Sequence, residues 1–287
     1  MKIVVLVENN TESNLCEGQH GLGLYIETGD RKILFDTGQN ELFYNNAKKL
    51  GVSIEDVDIM VLSHGHSDHG GGMSCFLQRN RKAKVYIHDL AFDEYYSRAS
   101  SPPRYIGLDQ SCKEDARLVR NTECLRIDDK LELFSLPENN SRSFWPKGNE
   151  TLAVRNPPPR PGAGLPLREG DEYVQDLFLH EQSLIITENG KRHLIAGCAH
   201  GGITNIIEYA EKLYGCIDTV VGGFHLYNSG TKQTDPKELV HALAGRLSQY
   251  KAIFYTGHCT GKMGFVMLRE IMGDQVRAIS TGDILEL

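Results

Sequence analysis

Apolar and polar positions divide the chain into two patterned stretches with a weaker one between them. KIVVLVEN (2–9) and LGLYIET (22–28) are apolar runs rich in β-branched residues. Gly29 and Asp30 turn the second run into RKILFDTG (31–38), which predicts a hairpin. ELFYNNAKKLG (41–51) spaces its apolar positions as a helix does and stops at a glycine. VDIMVLS (57–63) reads as a buried strand, MSCFLQRN (73–80) as a short helix and KVYIHD (84–89) as a strand. Further on, SLIITENGKRHLIAGC (183–198) places Asn189-Gly190 between two apolar runs, a strong hairpin signal. ITNIIEYAEKLYG (203–215) is helical and DTVVGGFH (218–225) a strand. PKELVHALAGRLSQY (236–250) is an amphipathic helix opened by Asp235-Pro236. AIFYTGHC (252–259) and VRAISTGDILEL (276–287) complete the alternation.

From about 92 to 175 the pattern weakens, and 139–173 holds most of the prolines and the only tryptophan. A structureless stretch of that length inside a domain is uncommon unless it is a lid or a linker. The organisation read here is a single domain over 1–287 with an insertion or lid at about 92–175. Its Phe144 and Trp145 suit a flat ring, and Arg142, Lys147, Arg155, Arg160 and Arg168 suit phosphates.

Composition narrows the function classes. At 287 residues, 40% hydrophobic and 24% charged, the chain has the make-up of a soluble globular protein. A formal net charge of -7 argues against a broad nucleic-acid footprint. No apolar run approaches a membrane span, and MKIVVLVENN turns polar too early for a signal peptide, so a cytoplasmic location is expected. The seven cysteines contain no CxxC pair, which fits reduced, mostly buried thiols.

The candidate chemistry lies in VLSHGHSDHGGG (61–72). His64, His66, Asp68 and His69 put four metal-capable side chains into one turn between a buried strand and glycines. Neutral imidazoles with a carboxylate suit zinc, iron or manganese, and two adjacent ligand pairs suit two cations. Strand-like runs ending in histidine recur at 197–200, 223–225 and 257–258. Strands that all end on one edge would bring these residues to a shared site. His20, His88, His193 and His241 carry no comparable context and are expected at the surface or in the core.

HGHSDH resembles the HxHxDH motif of the metallo-β-lactamase superfamily, and Phe35-Asp36-Thr37-Gly38 resembles its earlier aspartate motif. The resemblance implies an α/β, αββα sandwich of two mixed sheets flanked by helices, with two divalent metal ions at one edge, zinc first and manganese or iron as alternatives. It implies that His64 and His66 bind one ion and Asp68 and His69 the other, with Asp36 behind them orienting the ligands. His180 is the candidate for the third motif, with Glu181 as the alternative. Cys198 stands where many relatives carry a bridging aspartate, and is read as either a thiolate ligand or a core residue. His200 is read as a ligand or catalytic group and His225 as a ligand of the second metal. His258 is an extra ligand, proton donor or substrate contact, and Asp68, His200 and His258 form the catalytic set.

The blocks NTESN, GCAHGGITNI, GGFHL and TGHCTG further resemble the dihydropteroate-synthase-like branch, that of dihydropterin–aminobenzene ribofuranosyl phosphate synthase. That branch implies a small-molecule partner, phosphorylated or heterocyclic. The reaction it implies joins a pterin-methyl pyrophosphate to an aminobenzene with loss of pyrophosphate. Hydrolysis of a phosphoester, amide or thioester, and non-catalytic metal binding, are the alternatives. No nucleic-acid or membrane partner is expected, and a homodimer is compatible with this reading.

Overall fold

A computed structural model describes residues 1–97, 102–137, 151–154 and 173–287; for 151–154 and 173–175 the backbone alone is described. Two seven-stranded mixed sheets form its centre. The first runs Ile284–Glu286, Lys2–Val7, Gly23–Glu27, Lys32–Phe35, Ile59–Val61, Lys84–His88, Leu118–Asn121. Its first three pairings are antiparallel and its last three parallel. The second runs Val276–Ala278, Ile253–Thr256, Thr219–Gly222, Lys191–Ile195, Gln182–Glu188, Leu131–Ser135, Leu125–Arg126, with the parallel pairings first. The chain thus carries the sandwich of two mixed sheets that the resemblance implies.

Strand alternation decides the layering. Ile3, Val5, Leu24, Ile26, Ile33 and Phe35 face inward and meet Leu133, Leu184, Ile186, Ile195 and Val221 of the other sheet. Their neighbours Val4, Leu6, Tyr25 and Leu34 face outward under Phe43 and Ala47 of the helix Leu42–Lys49 and Phe76 of Met73–Arg79. On the far side Leu194, Val220 and Phe254 lie under the helices Ile203–Tyr214, Lys237–Leu247 and Lys262–Met272. Each strand buried on both faces is therefore apolar at nearly every position, as strands covered on both sides must be.

The Asn189-Gly190 turn forms as read, both residues adopting positive φ (52° and 76°). Two expectations differ. VRAISTGDILEL is not one strand: Val276–Ala278 joins the second sheet and Ile284–Glu286 the first, because Gly282 (φ 99°) turns the chain between them. The stretch 92–175 is not wholly an insertion either, since 118–121 borders the first sheet and 125–135 the second. What stands apart is a four-stranded sheet of Tyr173–Gln175, Thr151–Val154, Tyr95–Ser97 and Arg104–Tyr105. Phe144, Trp145, Arg142, Lys147, Arg155, Arg160 and Arg168, read as a cover, lie outside the described residues.

Candidate metal centre

The functional side chains follow the carboxyl ends of parallel strands in both sheets. Asp36 follows Lys32–Phe35, and His64, His66, Asp68 and His69 follow Ile59–Val61. Cys198 and His200 follow Lys191–Ile195, His225 follows Thr219–Gly222, and His258 follows Ile253–Thr256. The backbone turns sharply there: Asp36, Ala199, His225 and His258 all hold positive φ, between 50° and 59°. Such left-handed backbone is costly for residues with a Cβ and clusters at functional sites. Gly197 is needed beside them, because a Cβ on it would strike the Ser63 hydroxyl.

Hydrogen bonds fix which nitrogen each imidazole offers. Asp36 Oδ2 lies 2.6 Å from His69 Nδ1 and accepts the Ser63 hydroxyl at 2.7 Å, while Oδ1 accepts the Ser63 N–H at 2.7 Å. With its proton committed to Asp36, the Ser63 oxygen accepts from His64 Nδ1 at 2.8 Å. His258 Nδ1 lies 2.8 Å from Asn9 Oδ1. In all three rings Nδ1 is held by the polypeptide and Nε2 is turned to the centre, the arrangement that prepares a metal ligand. His69 Nε2 lies 3.1 Å from Cys198 Sγ and 3.2 Å from His258 Nε2. His64 Nε2, His66 Nε2 and both ring nitrogens of His200 are buried without a hydrogen-bond partner. Buried polar atoms seldom stay unsatisfied; His66 Nε2 faces Asp176 Oδ2 at 3.7 Å, while His64 Nε2 and the His200 ring fit cations that would satisfy them.

Donor atoms within 4.8 Å of one another gather as His64, Cys198 and His200; as His69, Cys198 and His258; and as His64, Asp68 and His69. Cys198 belongs to two of these groups, and its thiol sits among polar donors although only 3% exposed. Burial, and then Cys259 beside it, push the Cys198 thiol well above its ordinary pKa. His225 joins none of the groups; its ring packs on His200 at 4.4 Å between centroids. His200 is also stacked on Phe178, 4.1 Å away and within 8° of parallel.

Electrostatics reflect this crowding. Burial, then His69, His66 and His200, hold His64 well below its usual pKa. Burial opposes a charge on His69 as well, but Asp36 and Asp68 outweigh it and raise its pKa to about 9. Burial takes His225 down to about 4 and His258 to about 3. Burial and the neighbouring imidazoles likewise hold His200 well below its usual pKa, so His64, His200, His225 and His258 are kept neutral beside Asp68, a site arranged for a cation.

His180 and Glu181 separate here. Glu181 turns its carboxylate to the backbone N–H groups of His200 and Gly201, 2.8 Å each, and so shapes the loop. His180 packs with His66 and Asp176 in a group of its own. Sequence reasoning missed three participants. His20, expected at the surface or in the core, lies 3.3 Å from Asp68 Oδ2 with its ring 4.8 Å from His258. Asp176 faces His66 and His180, and Glu8 accepts the His258 N–H at 2.6 Å. None stands in a motif; His20 is brought in by Gly21, whose backbone presses on the Asp68 carbonyl.

A cleft of about 130 Å³ opens over the centre, lined by His66, Asp68, Cys198, His200, His225 and His258. Arg104 and Ser67 line one side, and Tyr227 to Gly230 the other. Arg104 is the one guanidinium among the described residues lining it.

Comparison with known proteins agrees with this geometry. The Metallo-beta-lactamase superfamily pattern matches residues 20–214. An uncharacterized protein of Methanocaldococcus jannaschii is 31% identical over 226 residues, 78% of this chain and 79% of that protein. The 7,8-dihydropterin-6-methyl-4-(beta-D-ribofuranosyl)-aminobenzene-5'-phosphate synthase of the same organism is 27% identical over 303 aligned positions, covering 100% of this chain and 96% of that enzyme. The crystal structure of Tm1679, described as a metal-dependent hydrolase of the beta-lactamase superfamily, matches with a TM-score of 0.78 at 27% identity, over 100% of this chain and 99% of that one. The chain belongs to the metallo-β-lactamase superfamily.

Proposed function

From that membership we infer a metal-dependent enzyme that joins a pterin-type methyl pyrophosphate to an aromatic amine carrying a phosphate. The observation that carries this reading is the convergence of partnerless nitrogens from both sheets beneath a cleft that also holds a guanidinium. The full-length similarity to the dihydropterin synthase supports this substrate class.

His64, His66, Cys198 and His200 would hold one divalent cation, and Asp68, His69, Cys198 and His258 a second. His225 adds an imidazole at the rim beside His200. A thiolate in the set leans toward zinc, with iron and manganese compatible with the imidazoles and carboxylate. Bound cations would supply Lewis acidity for an oxyanion leaving group and lower the pKa of water. The remaining work falls to the chain itself. Asp36, Ser63 and Asn9 hold the imidazoles by Nδ1 and so turn Nε2 to the centre. Arg104 provides a fork-shaped cation for a phosphate. In the condensation a C–N bond forms as the methylene C–O bond breaks, pyrophosphate departs with the bonding pair, and the amine loses a proton. His258, held through Nδ1 by Asn9, is spent as a ligand, so that proton passes to solvent in the open cleft.

The test is pyrophosphate release from a dihydropterin-methyl pyrophosphate with and without the aminobenzene riboside phosphate. Release that requires the amine supports the reading. The similarity to Tm1679 favours hydrolysis as the second reading. Amine-independent release, or rapid metal-dependent turnover of simple phosphodiesters, would select it instead.

A further inference from the structure

The group formed by His66, Asp176 and His180 lies to one side of the others, and its hydrogen bonds are of a different kind. The Gly65 N–H donates to His180 Nδ1 at 2.8 Å. Nδ1 is therefore the acceptor nitrogen, and the proton of the neutral ring sits on Nε2, which faces Asp176 Oδ2 at 3.2 Å. Both ring nitrogens are thus committed inside the protein, in a side chain 1% exposed and covered by Tyr95, whose ring centroid is 4.0 Å away. His64 and His69 show the opposite arrangement, with Nδ1 held and Nε2 turned to the centre. Asp176 is fixed in turn: its Oδ1 accepts the Phe178 N–H at 2.7 Å, and its Oδ2 stands 3.7 Å from His66 Nε2.

We propose that Asp176 and His180 are a positioning couple rather than ligands: His180 anchors the Gly65 backbone between the two motif histidines, and Asp176 orients the His66 ring. Resting on the metal-enzyme reading above, this keeps His180, the third-motif candidate of the sequence, out of the ligand set and leaves the imidazole of His200, with both nitrogens unpartnered, as the residue that completes the first cation's shell. Asp176 faces His66 Nε2 at 3.7 Å as Asp36 faces His69 Nδ1 at 2.6 Å, so His66 would present the opposite nitrogen, Nδ1, to the first cation. Gly65 fits this role because a Cβ there would strike the Ala91 carbonyl oxygen, so the loop has one way to lie and the Gly65 N–H one direction to point.

Three variants test the assignment: His180→Gln, which can still accept from Gly65 and donate to Asp176; Asp176→Asn; and His200→Ala. Zinc is titrated into chelator-treated protein with stoichiometry and affinity both read, and the ring nitrogens of His180 are followed by long-range proton–nitrogen NMR. The expected result for His180→Gln is the wild-type number of bound zinc ions. For Asp176→Asn it is that number with affinity weakened about 10- to 100-fold. His200→Ala is expected to lose one ion. In wild type the His180 signals should report an Nε2–H ring before and after zinc. A His180→Gln protein short of one ion, a zinc-dependent change to a metal-bound His180 nitrogen, or unchanged affinity in Asp176→Asn would overturn the proposal while leaving the metal-enzyme reading standing. Wild-type protein that binds no divalent cation would overturn both.

Discussion

Asp36 Oδ2 sits 2.6 Å from His69 Nδ1, and both side chains are wholly buried. Through Ser63 the same carboxylate also sets His64, so one residue from a neighbouring strand orients two imidazoles. Asp36→Asn is expected to weaken cation binding about 10- to 100-fold while keeping its stoichiometry. Metal titration with circular dichroism as a fold control checks this.

His64→Ala and Asp68→Ala should each release at least one cation per chain and abolish turnover, as elemental analysis and the pyrophosphate assay would show. Cys198→Ser separates the two readings of that residue. Loss of bound metal identifies a thiolate ligand, and unchanged content returns Cys198 to the core.

Arg104→Gln removes the guanidinium from the cleft wall without touching the donor groups. A charge-assisted contact of about 1.5–3 kcal/mol corresponds to a rise in KM for the phosphorylated substrate of roughly 10- to 100-fold. Metal content should not change.

Asp235 lies between the hairpin Tyr227–Asn228/Gln233–Thr234 and the helix Lys237–Leu247, with its buried Oδ2 unpartnered. Burial raises its pKa to about 6. The folded chain therefore holds this proton more tightly than the unfolded chain. The associated stability is present below the ordinary aspartate range and is lost as pH rises through about 6. Asp235→Asn should be stabilising by about 1 kcal/mol at pH 8, after allowance for solvent screening. The gain should vanish near pH 4 in denaturant melts.

Gly21 takes φ 142°, and a Cβ on it would meet the Asp68 carbonyl oxygen. Gly21→Ala is expected to cost about 2–4 kcal/mol and to pull His20 away from Asp68. Thermal unfolding gives the first effect, and the His20 chemical shift the second.

Much of this was legible in the chain because the period of its apolar residues matches the layers. Val4 packs under the helices and Val5 against the opposite sheet, so both faces of that strand had to be apolar. The histidine turns could be read since each follows directly on such a strand. Asp176 and His20 could not, because their roles come from where loops cross in space rather than from local spacing. The helix Lys262–Met272 went unread although its periodicity is ordinary, hidden behind the TGHCTG block that precedes it. The two strands of 276–286 were read as one because nothing local says that a chain changes sheets at Gly282.

His64, His66 and His69 ride on one sheet, while Cys198, His200 and His258 ride on the other, so the apolar layer between them works as the jaw of a caliper. Ile195 and Val221 lie in that layer, at the strand ends from which Cys198, His200 and His225 follow, so the packing between the sheets is also what holds the two halves of the centre in reach of each other.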